Sequence, residues 1–111
     1  MILKNNTNKK IITRDLKIAE SFIDNALGLL LKSNPRFMLF KTRYGIHTFF
    51  LKEDIDVIVL NHNNMVVKIK KSLKPNSIFF WNPKYTQVIE LPKGKIDEFS
   101  ISLKDSLAVS E

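Results

Sequence analysis

The chain has 111 residues, 44% hydrophobic and 26% charged, a composition typical of one folded domain with a single modest core. It contains no cysteine, which excludes disulfides, thiol catalysis and thiolate metal sites. The formal net charge is +7, but only three of the 18 basic residues are arginines, so charge alone is a weak argument for specific nucleic-acid recognition.

The N-terminal third predicts a tail, a strand and a helix, in that order. Residues 1–9 are polar and predict a flexible basic tail ahead of a single β-rich domain over 10–111. Residues 10–19 have the apolar alternation of a strand. In 21–32 apolar side chains recur at helical spacing behind Ser21, a residue type that caps helices, and the sequence KSNP ends the pattern. This segment predicts one covering helix.

From residue 36 onward the apolar spacing changes to that of strands. Short apolar runs alternate with turn residues, at 36–40, 46–52, 55–60, 65–70, 85–91 and 99–103. The loop NHNN at 61–64 connects two of them as a hairpin, because Asn tolerates the left-handed conformation of tight turns. We therefore predict a mainly β fold, α+β at the margin: a small β-sandwich or barrel of six to seven mostly antiparallel strands with one covering N-terminal helix.

Asp56 is the unusual residue of these strands, since it interrupts the apolar run IDVIVL at 55–60. Such a run indicates a strand covered on both faces, where a carboxylate costs free energy unless a partner compensates it. Pairing across the NHNN loop places Asp56 opposite Ile69, on the face toward the core. Two interpretations stay open: a structural carboxylate held by backbone N–H groups or by Lys52, and an acid in a ligand pocket.

The order of short motifs along residues 10–109 adds a resemblance. The motifs are ALGL (26–29), MLF (38–40), HTFFLK (47–52), IDV (55–57), VV (66–67), VIELPKG (88–94) and KD (104–105). This order resembles the uncharacterised prokaryotic family called domain of unknown function 192, which implies a small β-sandwich with no assigned activity. Phe50 stands where the family has Trp, Glu53-Asp54 where it has Asn-Thr, and Lys104 where it has Gly.

His47 is the second residue with possible chemistry. It shares a strand face with Phe49 and Leu51, and it is either a core residue or a base. A hairpin between its strand and that of Asp56 would separate the two by about 13 Å, so no direct dyad is predicted. No serine lies in a Gly-flanked elbow and no histidine spacing matches a zinc site. An enzyme that uses Asp56 and His47 is therefore the weakest function hypothesis, and no metal or cofactor is predicted.

Residues 71–84 are predicted to be a Pro-bounded loop that carries four large apolar side chains, Ile78, Phe79, Phe80 and Trp81. They either plug one end of the β fold or form an exposed lip for a ligand. Lysines flank the loop, and lysines among aromatic residues also suit single-stranded nucleic acid. The nucleic-acid surface of this alternative consists of Lys68, Lys70, Lys71, Lys74, Trp81 and Lys84.

The leading hypothesis is a non-catalytic binding module for a small ligand or a protein partner, with RNA or single-stranded DNA binding as the alternative. The candidate ligand site consists of His47, Phe50, Lys52, Asp56, Trp81 and Glu90. No run reaches the length of a membrane span and the first residues lack a secretory apolar core, so we predict a cytoplasmic protein without membrane contact. We expect a monomer or a weak homodimer.

Overall fold

A computed structural model describes residues 1–18, 37–43, 45–48 and 51–111. These residues form ten strands: β1 (Ile2–Asn5), β2 (Lys10–Thr13), β3 (Lys17–Ile18), β4 (Met38–Lys41), β5 (Gly45–His47), β6 (Ile55–Leu60), β7 (Val66–Leu73), β8 (Ile78–Phe80), β9 (Gln87–Pro92) and β10 (Leu107–Ser110). One short helix, α1 (Lys95–Glu98), precedes β10. None of the helical structure in these ranges is long and apolar enough to cross a lipid bilayer.

The strands form three sheets. The central sheet has five strands in the order β3-β4-β9-β6-β7, the outer sheet has three in the order β10-β1-β2, and β5 and β8 form a two-stranded ribbon. All named pairs are antiparallel except β3 with β4. The mainly β class is confirmed, with more strands than six or seven, and the predicted covering helix lies outside the described residues.

The central sheet is covered on both faces, which is why every residue of β6 is buried. The first core joins it to the outer sheet and includes Leu3, Ile12, Ile58, Leu60, Ile89, Leu91 and Leu107. The second core joins it to the ribbon and includes Phe40, Ile46, Val57, Val59, Phe79, Trp81 and Val88. The apolar run at 55–60 is therefore the doubly covered strand that its composition predicts.

The prediction of a flexible tail over residues 1–9 is wrong. β1 is the middle strand of the outer sheet, and its Leu3 is 0% exposed and pairs with Val109. Three apolar residues ahead of a polar run give little local signal of burial, because one of the two partner strands of β1, β10, lies at the other end of the chain. The N-terminal residues belong to the domain.

Shortening Leu3 to alanine tests this placement. We expect Leu3→Ala to lower the free energy of unfolding by about 2–4 kcal/mol, because it removes buried methyl groups and leaves a cavity in the first core. Urea denaturation measures the change, with Lys4→Ala on the same strand as the matched control. An equal, small effect of both substitutions would show that β1 contributes nothing to the core.

The β6–β7 hairpin has the predicted loop but a different register. Asn61 Oδ1 accepts backbone N–H groups from Asn63 and Met65, at 2.9 and 3.0 Å, which stabilises the loop. Leu60 pairs with Val66 where the prediction pairs it with Met65, and a bulge between Val59 and Leu60 shifts the register by one further residue, so Ile58 pairs with Ile69 and the predicted pairing of Asp56 with Ile69 is wrong. One extra residue in one strand shifts every later pair.

The segment 71–84 is not simply a loop. β7 continues to Leu73, and Ile78–Phe80 forms β8, which pairs with β5. Phe79 and Trp81 are buried in the second core while Ile78 and Phe80 are exposed. Burial alternates along this segment as in a strand. Both faces carry apolar side chains, however, so the sequence shows no alternation of apolar and polar residues.

Residues 99–103 form no strand, although their alternating apolar residues predict one. Ser100 has a positive φ of 52°, and the chain turns there directly after α1. Ile101 is nevertheless buried, in the first core. The alternation predicts the burial of Ile101 correctly, but the backbone at this position is a turn and not a strand.

Candidate functional site

Asp56 points into the first core, where backbone N–H groups hold its carboxylate. The residue is 1% exposed. Its Oδ1 accepts a hydrogen bond from the Ser72 N–H at 2.9 Å, and its Oδ2 accepts one from the Ile96 N–H at 3.0 Å. Hydrogen bonds of this kind compensate for the loss of water around a buried carboxylate.

Both donors are backbone groups that lack a regular partner. Ser72, with φ 51°, lies where the β6–β7 pairing is interrupted, so its N–H is available to a side chain. Ile96 is the second residue of α1, and the residue before the helix, Gly94, has no side chain with which to cap it. Asp56 therefore links β6, β7 and α1, and of the two open interpretations the structural one fits. Lys52, the other suggested partner, is exposed.

Asp105 has a similar role at the other end of the first core. Its Oδ2 accepts hydrogen bonds from the Asn5 side-chain amide at 2.7 Å and from the Ser102 N–H at 2.9 Å. Both Asp105 and Asn5 are buried, and the bond joins β1 to the turn before β10. Asp56 and Asp105, which belong to two of the short motifs of the sequence, thus accept hydrogen bonds that hold parts of the fold together.

The other buried acid of the candidate site, Glu90, faces the opposite way. In an antiparallel sheet, paired residues share a face. Asp56 pairs with Leu91 of the first core, whereas Glu90 pairs with Val57 of the second core. The central sheet therefore separates the two carboxylates, and it separates Asp56 from Trp81 as well.

Of the remaining members of the candidate site, the structure describes His47 and Lys52. His47 pairs with Ile78 in the ribbon, and strand alternation places it on the opposite face from the buried Ile46. Lys52 lies in the exposed turn before β6 and Phe50 lies outside the described residues. The structure does not bring Asp56 together with His47, Trp81 or Glu90. Within the described ranges, no three His, Asp or Glu residues lie together as a metal site.

Trp81 is a residue of the second core. It is 6% exposed, its Nε1–H donates to the Tyr85 carbonyl oxygen at 2.7 Å, and its ring is tilted by 53° against that of Phe79 at 5.8 Å between centroids. Nucleic-acid bases stack on ring faces that reach the surface. The exposed ring of this region is that of Phe80, at 64%.

The five lysines of the nucleic-acid alternative are exposed, and four already contact a neighbouring group. The Lys68 ammonium donates to the Phe80 carbonyl oxygen at 2.8 Å and lies 4.9 Å from the centroid of the Phe79 ring. The other three contacts are Lys71–Asp97 (2.6 Å), Lys74–Asp54 (3.3 Å) and Lys84–Tyr85 (5.1 Å to the ring centroid). Of the acids that the structure describes, none pairs with Lys70.

A groove of about 520 Å³ lies between β7 and β8, and the sequence does not indicate it as a site. Leu73 and Phe79, both buried, form its base, and Ser72 and Ser77 line it. The remaining lining residues are the exposed Lys70, Lys74 and Ile78. Two cationic groups therefore stand beside an apolar surface, an arrangement that suits a ligand with an anionic group next to an apolar one.

Sequence comparison connects this chain with proteins of unknown function. The family model of domain of unknown function 192, described as "Uncharacterized ACR", matches residues 2–109. The UPF0127 protein of Pyrococcus horikoshii is 41% identical over 87 residues, which cover 72% of this chain and 74% of that protein. The UPF0127 protein of Pyrococcus furiosus is 34% identical over 110 residues and covers 93% of each chain. The resemblance predicted from the motif order is confirmed.

Solved structures share the fold at low identity. A Sinorhizobium meliloti protein described as a candidate transcription regulator has a TM-score of 0.80 at 16% identity, with 96% of this chain and 89% of that chain covered. A Novosphingobium aromaticivorans protein of unknown function has a TM-score of 0.79 at 14% identity, with 97% and 82% covered. At these identities the likeness shows the fold alone.

Proposed function

The chain belongs to the uncharacterised family called domain of unknown function 192, and we propose that it is a non-catalytic binding module whose ligand site is the groove between β7 and β8. One observation supports this above the others: the groove combines a buried apolar base with the ammonium groups of Lys70 and Lys74. The ligand class that fits is a carboxylate or similar anion attached to an apolar group. A cytoplasmic protein that is a monomer or a weak homodimer is part of the same proposal.

The arrangement of the acids favours binding over catalysis. A general acid or base must reach the reacting group of a substrate. Both carboxylate oxygens of Asp56 accept backbone N–H groups in the first core, on the far side of the central sheet from Trp81 and Phe79. The enzyme hypothesis based on Asp56 and His47 therefore has no geometric support.

A simple probe of this ligand class is hexanoate, for which we expect a Kd near the millimolar range. Burying roughly 100 Å² of its chain contributes about 2.5 kcal/mol. Two exposed ion pairs add up to about 1 kcal/mol each, and this total is an upper limit because association also costs translational and rotational freedom, so we expect binding no tighter than the roughly 4 kcal/mol of a millimolar complex. This strength is measurable by NMR titration.

We expect hexanoate to shift the backbone amide signals of Lys70, Leu73, Ser77 and Phe79 in a ¹H–¹⁵N titration, because these residues line the groove. Acetate lacks the apolar chain and hexanol lacks the charge, so each should bind more weakly than hexanoate. Signal changes confined to other parts of the chain would contradict the proposed site.

Removing the two lysines tests the charge requirement. Replacing Lys70 and Lys74 together by alanine should weaken hexanoate binding by about 3- to 30-fold, since each exposed ion pair is worth a few tenths to 1 kcal/mol. The matched control is Lys41→Ala, an exposed lysine on β4, which β9 and β6 separate from β7. Equal binding by the double variant and the control would contradict a role for the lysines.

Nucleic-acid binding stays a prediction with less support. Its stacking residue, Trp81, is buried, whereas bases stack on rings that reach the surface. One structural neighbour is described as a candidate transcription regulator, but a likeness at 16% identity is evidence for a shared fold and not for a shared ligand.

A further inference from the structure

We infer that the partner of the groove is an extended acidic peptide, which adds a strand along the open edge of β8. The inference rests on the proposed function and narrows its ligand class. It depends on three features of the described residues: a strand edge that faces the groove, the lysines beside that edge, and the apolar base between them.

The edge follows from the hydrogen bonds of the ribbon. The Thr48 N–H donates to the Ser77 carbonyl oxygen at 2.9 Å, and the Ser77 N–H donates to Thr48 Oγ1 at 2.9 Å. Ser77 thus directs its backbone groups toward Thr48. In an antiparallel pair, hydrogen-bonded and non-hydrogen-bonded positions alternate. The next pair, His47 with Ile78, is therefore non-hydrogen-bonded, and the N–H and C=O of Ile78 point away from β5.

A second contact shows where that edge points. Phe80 lies two residues after Ile78, so its backbone groups have the same orientation. The Phe80 carbonyl oxygen accepts the Lys68 ammonium of β7 at 2.8 Å, which means that this edge of β8 faces β7. Ile78 itself lines the groove. Among the described strands β8 pairs only with β5, so the Ile78 edge can accept another strand.

The side chains around this edge define the peptide. Successive side chains of an extended strand point to opposite faces. In a strand laid in the groove, apolar residues would contact Leu73 and Phe79, and the alternate residues would project outward beside Lys70 and Lys74. Acidic residues at those outward positions would meet the two ammonium groups. The peptide that fits has alternating acidic and apolar residues.

The lysines also exclude other strands. Proteins commonly place lysines along an open sheet edge, because the charge prevents pairing with neutral or basic strands. Lys70 and Lys74, which line the groove, and Lys68, which contacts β8, give the β7 side of the groove this character. A strand of opposite charge is attracted instead of repelled, so the same residues that prevent self-association select an acidic partner.

The test uses the peptide acetyl-Glu-Val-Glu-Val-Glu-amide with the full ¹⁵N-labelled chain. We expect the peptide to slow hydrogen exchange of the Ile78 amide by at least about tenfold at saturation, since a hydrogen bond protects that group from water. Lys70→Ala with Lys74→Ala should weaken binding by about tenfold, while Lys41→Ala should not. The lysine counterpart, acetyl-Lys-Val-Lys-Val-Lys-amide, should not bind.

An ester oxygen in place of the backbone N–H of the central Glu removes the donor that would pair with the Ile78 carbonyl oxygen, and we expect this analogue to bind about tenfold more weakly. Equal binding of ester and amide peptides would overturn strand addition. Binding of hexanoate without the peptide would overturn this inference and leave the proposed function standing, whereas binding of neither would overturn both. Binding of oligo-dT in place of the peptide, with a steep salt dependence, would also overturn the inference.

Discussion

Asp56→Ala is expected to lower the free energy of unfolding by about 3–5 kcal/mol, because it leaves two backbone N–H groups without their charged acceptor. These are the N–H groups of Ser72 and Ile96, and the substitution disconnects β6 from both the β7 bulge and α1. Urea denaturation followed by circular dichroism measures the loss.

Two further substitutions separate the hydrogen bonds from the charge. Asp56→Asn keeps one acceptor but turns an NH₂ group toward the second N–H, so we expect a smaller loss than with alanine, of about 2–4 kcal/mol. Asp97→Asn removes an exposed carboxylate that pairs with Lys71, and this control should cost less than about 1 kcal/mol. An Asp56→Ala variant as stable as the unsubstituted chain would contradict the structural role of Asp56.

Trp81→Ala is the second substitution for which we expect a large effect, a loss of about 3–5 kcal/mol in the free energy of unfolding. The indole fills the second core against Phe79, and its N–H donates to the Tyr85 carbonyl oxygen. Removing it leaves a cavity and an acceptor without its donor. Thermal and urea denaturation measure the loss.

Phe80→Ala is the matched control for Trp81, since the two aromatic residues are adjacent in sequence and differ in burial. Phe80 is 64% exposed, so its truncation should cost less than about 1 kcal/mol. If Trp81→Ala left stability unchanged while Phe80→Ala unfolded the domain, the burial assigned to Trp81 and Phe80 would be wrong.

The sequence predicted those features that depend on local spacing. The doubly covered strand at 55–60, the NHNN hairpin loop and the inward direction of Asp56 follow from apolar runs, turn residues and alternation within one strand. It could not predict partners from distant parts of the chain. β1 pairs with β10 across almost the whole length, and the bulge between Val59 and Leu60 changes the register without any signal in residue type.

The candidate site was harder to predict, because alternation fixes the face of a residue only within its own strand. The sequence cannot show that β9 lies between β4 and β6, or that β5 leaves the central sheet to pair with β8. For this reason the sequence predicts Asp56 and Glu90 in one site, whereas in the structure they lie on opposite faces of the central sheet. Part of the groove is predicted from the sequence, since Lys70 and Lys74 belong to the predicted nucleic-acid surface. The strand edge beside these lysines is not predicted, because the sequence does not identify β8 as a strand.

The most direct test of the groove as the ligand site is an isotope-filtered NOE experiment between unlabelled hexanoate and the ¹³C-labelled chain. We expect cross-peaks from the terminal methyl group of hexanoate to the side chains of Leu73, Ile78 and Phe79, which line the groove. Cross-peaks that instead reach residues of the first core or the outer sheet, with none to these three side chains, would contradict the proposal.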